Sequence, residues 1–396
     1  MVPGSARNWI AANAPTMPLT KYELKMTTPL ARNSLGRSPL WRRVLFVTVS
    51  AVALVASAVA LQPVTHAGTT STPTPTPTPP QFQLLDTVPL QTNARDFVTV
   101  NQALNKIYVS GDPNSPTGLE VVVIDGATFA STPPVGPGQQ VGVDNKTNRY
   151  WAATIYQDSV IVRDGTTDSV VATVPIAGGF CPIQTNYDFF KNRVWASAQC
   201  SGGNDPIFAI NAKTFSITAG PIDSRGVLDS SAMIANGANG RLYFSINGGL
   251  VSKRMDPTTF AVTVNAFGEV KAINALTNRL YALSGNTLQI IDGRPDPEVI
   301  LRTVPLSYTP GSMGINPALT YLYIANPAGQ SIEVRNPSTG ALITTFSLSS
   351  FGVTPDGPMA VDSIRGRIYV IQRTPSLLLV IEDLINAYKP DCILSH

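Results

Sequence analysis

Histidine, the commonest acid-base and metal-binding side chain, is missing from most of this 396-residue chain. His66 and His396 are the two histidines, so none lies between Phe82 and Asp391. That stretch therefore cannot carry a Ser-His-Asp triad or a histidine ligand for zinc, copper or haem. Neither a P-loop nor a dinucleotide-binding fingerprint occurs in a suitable context.

The three cysteines favour a disulfide bridge over a metal site. Cys181 and Cys200 are predicted at the same end of two antiparallel strands that turn around Tyr187–Lys191. Two thiolates alone make a poor metal site, and an exported protein can keep such a bridge. A pair of free buried thiols is the alternative, and Cys392 remains without a partner in the C-terminal tail.

Carboxylates and arginines are the remaining groups with chemical potential. Oxygen ligands suffice for calcium, so a calcium site near Asp96, Asp158 or Asp229 is left open, although no dense EF-hand-type loop occurs. No other cofactor is expected. Arg225 and Arg95 are the first choices for ligand binding, because a guanidinium can hold a carboxylate or phosphate through two hydrogen bonds.

A sevenfold repeat determines where these residues would lie. Its first copy, Asn105–Ser110, reads Asn-Lys-Ile-Tyr-Val-Ser, and the aromatic positions recur at intervals of 43, 44, 48, 38, 42 and 46 residues. This period is typical of four-stranded propeller blades. The low charge (13%) and abundant Gly and Pro suit short strands joined by many turns. The anchors are Tyr108, Trp151, Trp195, Tyr243, Tyr281, Tyr323 and Tyr369.

Each repeat is predicted to form four strands, a to d, with the aromatic anchor on strand b. The third strands end at an Asp or Asn followed by a turn-forming residue. Because this residue recurs in most blades, we interpret it as an Asx turn that shapes the c–d hairpin rather than as a catalytic carboxylate. The positions are Asp125, Asp164, Asn211, Asp256, Asp292 and Asn336.

The two ends of the repeat region are predicted to meet. The last repeat reaches a third strand at Ser376–Ile381, and no clear fourth strand follows. Phe82–Leu90 resembles the fourth strands Val170–Ile176 and Val299–Leu306, which share a Thr-Val-Pro-aliphatic ending. We therefore expect the N-terminal strand to complete blade seven and to remove an open sheet edge.

The motif Asn-Lys/Arg-aliphatic-Tyr-Val, followed by a Val-Ile-Asp strand, resembles the YVTN-repeat family of seven-bladed β-propellers. The resemblance covers roughly Phe82 to Asp383, with Trp replacing Tyr at two anchors. It implies an all-β propeller on an exported or surface protein, in a family often without assigned activity. Related propellers include lactonases and cofactor-bearing dehydrogenase subunits, and the missing histidine counts against a lactonase that uses histidine as base.

The N-terminal region is predicted to direct export. A basic leader (residues 1–43) precedes Val44–Leu61, which carries no charge and would span about 27 Å as a helix. This segment is interpreted as a signal peptide cleaved after Ala67 or as an uncleaved membrane anchor. A Thr/Pro-rich linker (residues 62–81) follows, which favours extended polyproline II, and the propeller domain occupies residues 82–391.

Candidate ligand-binding residues are those on the d–a and b–c connections, where propellers usually present their sites. Pro221–Ser230 is expected to be the longest d–a connection, and long loops on a rigid scaffold often carry function. The binding candidates are Arg95, Asp96, Tyr156, Asp158, Arg225, Asp229 and Tyr308, joined by Lys271 and Asp356.

The leading functional hypothesis is an exported, non-enzymatic binding module that presents a loop face to a protein or a surface glycan. The alternatives are a metal-dependent, lactonase-like hydrolase and an accessory subunit of a periplasmic redox system. Nucleic acid is not expected as a partner, because seven basic residues precede the hydrophobic segment and leave the rest slightly negative. We expect a monomer that contacts a membrane only if Val44–Leu61 is uncleaved.

Overall fold

The computed structural model describes the region that carries the repeats. The described residues are 81–90, 96–111, 120–136, 138, 140–154, 157–199, 204–246, 249, 251–318 and 320–384, with only the backbone for residues 229–232. The predicted leader, hydrophobic segment and linker lie outside these residues, as do Arg95, Tyr156, Cys200 and Cys392. Within the described residues, no helix has the length and apolar character needed to cross a membrane.

Twenty-seven strands and one short 3₁₀ helix, Ser349–Phe351, make up the described structure. Blades one to three contain β2 (Phe97–Asn101), β3 (Lys106–Ser110), β4 (Val121–Asp125), β5 (Val141–Asp144), β6 (Arg149–Thr154), β7 (Ser159–Asp164), β8 (Val170–Pro175), β9 (Cys181–Asp188), β10 (Arg193–Gln199), β11 (Pro206–Asn211) and β12 (Ile217–Asp223). Blades four and five contain β13 (Leu228–Ala235), β14 (Leu242–Ile246), β15 (Val251–Met255), β16 (Val262–Val264), β17 (Glu269–Asn274), β18 (Arg279–Leu283), β19 (Thr287–Asp292) and β20 (Val299–Pro305). Blades six and seven contain β21 (Met313–Asn316), β22 (Tyr321–Asn326), β23 (Ser331–Arg335), β24 (Leu342–Ser347), β25 (Met359–Asp362), β26 (Arg367–Gln372), β27 (Leu377–Asp383) and the N-terminal β1 (Phe82–Pro89).

These strands form seven antiparallel sheets arranged in a closed ring. Six sheets have four strands each, and each first strand contacts the first strands of both neighbouring blades, including β25 with β2. The first strands therefore lie innermost and the fourth strands outermost. The described part of the chain is a seven-bladed β-propeller, as the repeat predicted.

Blade seven is completed by the N-terminal strand, which confirms the predicted closure. β1 pairs antiparallel with β27 from Phe82 opposite Asp383 to Pro89 opposite Leu377. Phe82 also packs edge-on against the Tyr323 ring in blade six. Two distant parts of the chain thus share one sheet, and the hydrogen bonds between β1 and β27 close the ring within blade seven.

Blade one departs from the predicted four strands. β2, β3 and β4 form a three-stranded sheet, and the segment beyond it makes only a single bridge, between Ile124 and Ser131. The backbone N–H groups of Thr132 and Val135 still donate to β4, at 2.8 and 2.9 Å. Pro133 and Pro134 have no N–H to donate, so a regular ladder cannot form there.

The seven aromatic anchors are packing residues, as predicted. Each is at most 1% exposed, and each lies on the second strand of its blade. The Asx turns are also confirmed. In blade one the Asp125 Oδ1 accepts both the Ala127 and Thr128 N–H groups at 2.8 Å, and the same pattern recurs at Asp164, Asn211, Asp256 and Asn336. At Asp292 only the Arg294 N–H is bound.

Candidate functional site

The residues proposed from sequence for the d–a and b–c face are distributed over separate connections. Arg95 and Tyr156 lie outside the described residues, and of Asp229 only the backbone, within β13, is described. Asp96 immediately precedes β2 and pairs its N–H with the Ser110 carbonyl at 3.2 Å. Asp158 adopts a left-handed backbone (φ 44°), and its carbonyl accepts the Ile176 N–H at 2.7 Å.

Tyr308 is held by hydrogen bonds of its side chain, and Arg225 is held by hydrogen bonds of its backbone. The Tyr308 hydroxyl donates to Glu333 Oε2 at 2.7 Å, and Arg335 Nε binds the same oxygen at 2.6 Å. The Arg225 backbone is fixed, because its N–H donates to Asp223 and its carbonyl accepts the Lys253 ammonium. No hydrogen bond or ion pair joins Asp158, Arg225 and Tyr308 to one another, and their role in binding stays a prediction.

The expectation that Pro221–Ser230 forms the longest d–a connection is wrong. β12 continues to Asp223 and β13 begins at Leu228, so four residues remain between them. Pro221 is tolerated inside β12 because an outermost strand has one edge that needs no N–H donors. The connection between β24 and β25 is longer, and it contains the 3₁₀ helix and Asp356, whose carboxylate accepts the Arg373 N–H. Lys271 is part of β17 and pairs with Glu269.

The predicted disulfide keeps its status as a prediction. Cys181 begins β9 and lies opposite Gln199, the last residue of β10. Cys200 follows directly in the chain but lies outside the described residues.

A different arrangement emerges at the opposite face, where the a–b and c–d turns lie. Six blades have a basic residue that begins the second strand or, in blade four, immediately precedes it. Five of these side chains contact the c–d turn of the next blade. We call these contacts the blade junctions. In junction 1–2, for example, Lys106 Nζ donates to Asp168 Oδ2 at 2.9 Å and to the Thr166 carbonyl at 3.1 Å.

Three junctions place the cation against a phenylalanine of the next blade. Arg149 lies 5.0 Å from the Phe215 ring centroid, Arg193 lies 5.8 Å from Phe260, and Arg367 lies 5.4 Å from Phe129. All three phenylalanines close their c–d turns in the left-handed conformation, with φ between 57° and 59°. Such cation–π contacts are worth about 0.5–2 kcal/mol each.

Junction 4–5 is the most heavily bonded. Arg241 Nη1 donates to Glu298 Oε1 at 3.0 Å and to the Pro295 carbonyl at 2.9 Å, and the Tyr243 hydroxyl donates to the same Glu298 oxygen at 2.8 Å. Arg254 binds both Glu298 and Asp296. The Glu298 side chain is only 2% exposed, so each of its oxygens faces a guanidinium away from bulk water.

Junction 5–6 is open. Arg279 occupies the position of Arg241, yet its guanidinium makes no hydrogen bond or ion pair with any residue that the structure describes. The position of the three phenylalanines is occupied in blade six by Gly340 (φ 72°), which has no side chain to cover the guanidinium. Asp292 lies opposite Arg279 on the neighbouring strand, but it is bound by Arg294 through two contacts of 2.8 and 2.6 Å.

A cavity of about 530 Å³ fills the place of the missing contact. Such a volume suits one small ligand or one side chain of a partner. We call it the blade-5 pocket. Its polar lining includes Arg279, Tyr281, Asn274, Arg294, Thr320 and Ser338, contributed by blades five and six.

The electrostatics of the blade-5 pocket favour an anion. Bonding to Arg294 holds the pKa of Asp292 at about 2, so this carboxylate stays ionised and neutralises only one of the two guanidinium groups. Burial raises the pKa of Tyr281 to about 12, against the opposing charge of Arg279, so the hydroxyl keeps its proton. Two guanidinium groups and a hydroxyl donor can bind a carboxylate or phosphate oxygen.

Sequence reasoning missed Arg279 because the repeat predicts a basic residue there. The informative signal lies in the next blade. Aligning the c–d turns places Phe129, Phe215 and Phe260 at one position, and Gly340 is the departure that leaves Arg279 without a cover.

The metal hypothesis gains no site from the described side chains. Among them, no group of three His, Cys, Asp or Glu residues lies close enough to hold an ion. Calcium binding and the metal-dependent hydrolase stay predictions from the sequence.

Comparison with known proteins supports the architecture. No protein-family model matches the chain, and neither does any curated protein. The YVTN-repeat resemblance therefore stays an expectation. Among solved structures, the chain is similar to the β-propeller domain of Cps50 (Swd1) from Myceliophteria thermophila, with a TM-score of 0.57 and 10% identity. The match covers 76% of this chain and 99% of that chain. At this identity the likeness shows the fold alone, and 1421 solved chains match, so the fold does not select a function.

Proposed function

We propose that this protein is a non-enzymatic binding module whose blade-5 pocket holds a carboxylate group of its partner. The unpaired guanidinium of Arg279 carries the proposal. Basic side chains at this repeat position, four arginines and Lys106, are bound by the next blade at five junctions, and at junction 5–6 a polar cavity replaces that contact. A partly buried cation that lacks a protein acceptor is a strong site for an anionic ligand.

Titration with acidic polymers tests the proposal. We expect the full chain to bind poly-L-glutamate, polygalacturonate or both, and Arg279→Ala to weaken that binding at least about tenfold, because a charged hydrogen bond contributes about 1.5–3 kcal/mol. Calorimetry with each polymer measures the affinity.

Arg302 provides the matched control for the loss of one positive charge. It is exposed on the outermost strand of the same blade, away from the pocket lining. Arg302→Ala should therefore bind as the wild type does. Unchanged binding by Arg279→Ala would remove the pocket from the proposal, and failure of the wild type to bind either polymer would overturn the ligand class.

Export on a Thr-Pro stalk forms part of the same proposal. Its support is the basic leader, the uncharged Val44–Leu61 and the Thr/Pro-rich linker of the sequence. Protease added to intact cells should digest an exported propeller, whereas a protected chain would contradict export.

A further inference from the structure

The a–b turns of blades three and five expose apolar side chains on either side of Gly237 in blade four, beside the blade-5 pocket, and we call this surface the groove. Blade three contributes Phe189 and Phe190, which are 64% and 52% exposed, and blade five contributes Leu276, which is 81% exposed. Large apolar side chains exposed together on one face often mark an interaction site.

The a–b turn of blade four forms the floor between these two walls. Its residues at the corresponding positions are Gly237 and Ala238. A Cβ built on Gly237 would lie 3.4 Å from the Ala275 Cβ and 3.9 Å from the Phe189 Cβ, so the space above this glycine separates blade three from blade five. A side chain at residue 237 would stand in the groove.

The groove and the blade-5 pocket are continuous. Ala238, Ala275 and Leu276 line the pocket and also belong to the floor and wall of the groove. One surface therefore combines an apolar trough with a cationic end that contains Arg279.

We infer that the occupant of this surface is an extended protein segment with an acidic residue next to a large apolar residue. The carboxylate binds in the blade-5 pocket, and the apolar side chain lies over Gly237 between Phe189 and Leu276. Charge complementarity places the acidic residue, and burial of aliphatic and aromatic surface, at about 25 cal/mol per Å², favours a peptide over a polar glycan. The inference rests on the proposed function and names the partner class of the same pocket.

A random peptide library displayed on phage and selected on the full chain tests the inference. We expect the selected peptides to share an acidic residue close to Leu, Ile or Phe. A consensus without an acidic residue would overturn the inference, and so would the absence of any consensus.

Groove variants then separate the two proposals. Gly237→Leu should lower the affinity for the consensus peptide at least about tenfold, because it fills the groove at a backbone conformation that any residue adopts. Phe189→Ser should have a similar effect. Ile364→Ser, which removes an apolar residue that is 46% exposed on the blade-seven turn of this face, is the control and should bind normally.

Each result assigns the surface differently. Loss of peptide binding in Gly237→Leu with retention of polygalacturonate binding supports the inference. Polygalacturonate binding without peptide binding would overturn the inference and leave the proposed function intact. Equal affinity of the wild type and Arg279→Ala for the acidic polymers would overturn the proposed function itself. Concentration-dependent dimerisation that Phe189→Ser abolishes would assign the groove to a second copy of the chain.

Discussion

Junctions 4–5 and 5–6 begin with the same residue type and end in opposite states. Arg241 immediately precedes the second strand of blade four, and Arg279 begins the second strand of blade five. Arg241 contacts the c–d turn of blade five, and Arg279 lines a cavity together with the c–d turn of blade six. In junction 4–5 that turn supplies Asp296, Glu298 and two carbonyl oxygens. In junction 5–6 the turn supplies Pro337, Ser338 and Gly340, and a cavity remains.

The difference shows how a repeat can generate a site without a dedicated motif. Blade five has an arginine at the repeat position, but the c–d turn of blade six provides no acceptor for it. The arginine then becomes available to a ligand without any change in its own strand. The departure from the repeat lies in the partner turn, one blade further along the chain.

Removing Glu298 should have the largest effect on stability. Glu298→Ala leaves Arg241, Arg254 and the Tyr243 hydroxyl without their shared acceptor. The expected cost is about 3 kcal/mol of unfolding free energy, because loss of one partner strands a buried charge. Urea unfolding measures the loss.

Two controls define the comparison between the junctions. Asp296→Ala should cost less, because the Asp296 side chain is 58% exposed and screened by water. Arg279→Ala should change stability by less than about 0.5 kcal/mol, since it removes no hydrogen bond or ion pair with the residues that the structure describes. Equal losses of unfolding free energy in Glu298→Ala and Arg279→Ala would show that Arg279 contributes as much to stability as the bonded junction does.

Rebuilding the phenylalanine cover should close the open junction. Gly340→Phe has precedent in the left-handed phenylalanines of three other turns, but its Cβ would lie 2.6 Å from Val304 Cγ2. We therefore combine it with Val304→Ala. The double variant should bind poly-L-glutamate at least about tenfold more weakly, because the new ring covers the Arg279 guanidinium through a cation–π contact and competes with the ligand carboxylate for it.

The matched control keeps the backbone and leaves the pocket open. Asparagine tolerates a positive φ and is too short to cover the guanidinium. Gly340→Asn with Val304→Ala should therefore bind as the Val304→Ala variant does. Full affinity in the phenylalanine variant would mean that the cavity is not the binding site.

The fold could be predicted from the sequence because the repeat overdetermines it. Seven aromatic anchors, six Asx turns and the Thr-Val-Pro ending of Phe82–Leu90 each specify the same blade, and the structure agrees with them. The missing fourth strand of blade one was not predicted, because it depends on a local effect: Pro133 and Pro134 have no N–H groups to donate. The extent of β12 was predicted wrongly, because Pro221 was interpreted as a turn residue. It lies instead within an outermost strand, where a proline is tolerated.

The blade-5 pocket could not be predicted by searching for chemical motifs. Arg279 has an ordinary sequence neighbourhood, and its significance depends on Gly340, which lies in another blade. The candidates chosen from the sequence show the converse. Tyr308 has a suitable hydroxyl group, but Glu333 already binds it within the fold.

Neutralising Asp292 should raise the affinity of the blade-5 pocket for an anionic ligand, by less than the phenylalanine cover lowers it. Asp292→Asn keeps an oxygen for the Arg294 N–H and removes the carboxylate that holds the Arg294 guanidinium. We expect affinity for poly-L-glutamate to rise about three- to tenfold, because the negative charge that lies opposite Arg279 and neutralises Arg294 is lost. Calorimetry at an ionic strength of about 0.1 M is the measurement.

Asp125→Asn is the control for this charge effect. Asp125 forms the same kind of turn in blade one, which does not contribute to the pocket lining, and a charge beyond the Debye length of about 10 Å is largely screened. An equal rise in both variants would indicate a general effect of net charge.

Affinity should hardly depend on pH between about 6 and 10, the smallest effect expected of the open junction. Arginine keeps its charge throughout this range. Burial raises the pKa of Tyr281 to about 12, so its hydroxyl donates until the pH approaches that value. The pKa of Asp292 is lowered to about 2 by Arg294, so its carboxylate is ionised at every pH tested and adds no slope. Poly-L-glutamate titrated at intervals over this range measures the profile, and Tyr281→Phe should bind a fewfold more weakly with the same flat profile. A decline between pH 8 and 10 in the wild type would point to a lysine, and the guanidinium of Arg279 would lose its place as the principal contact.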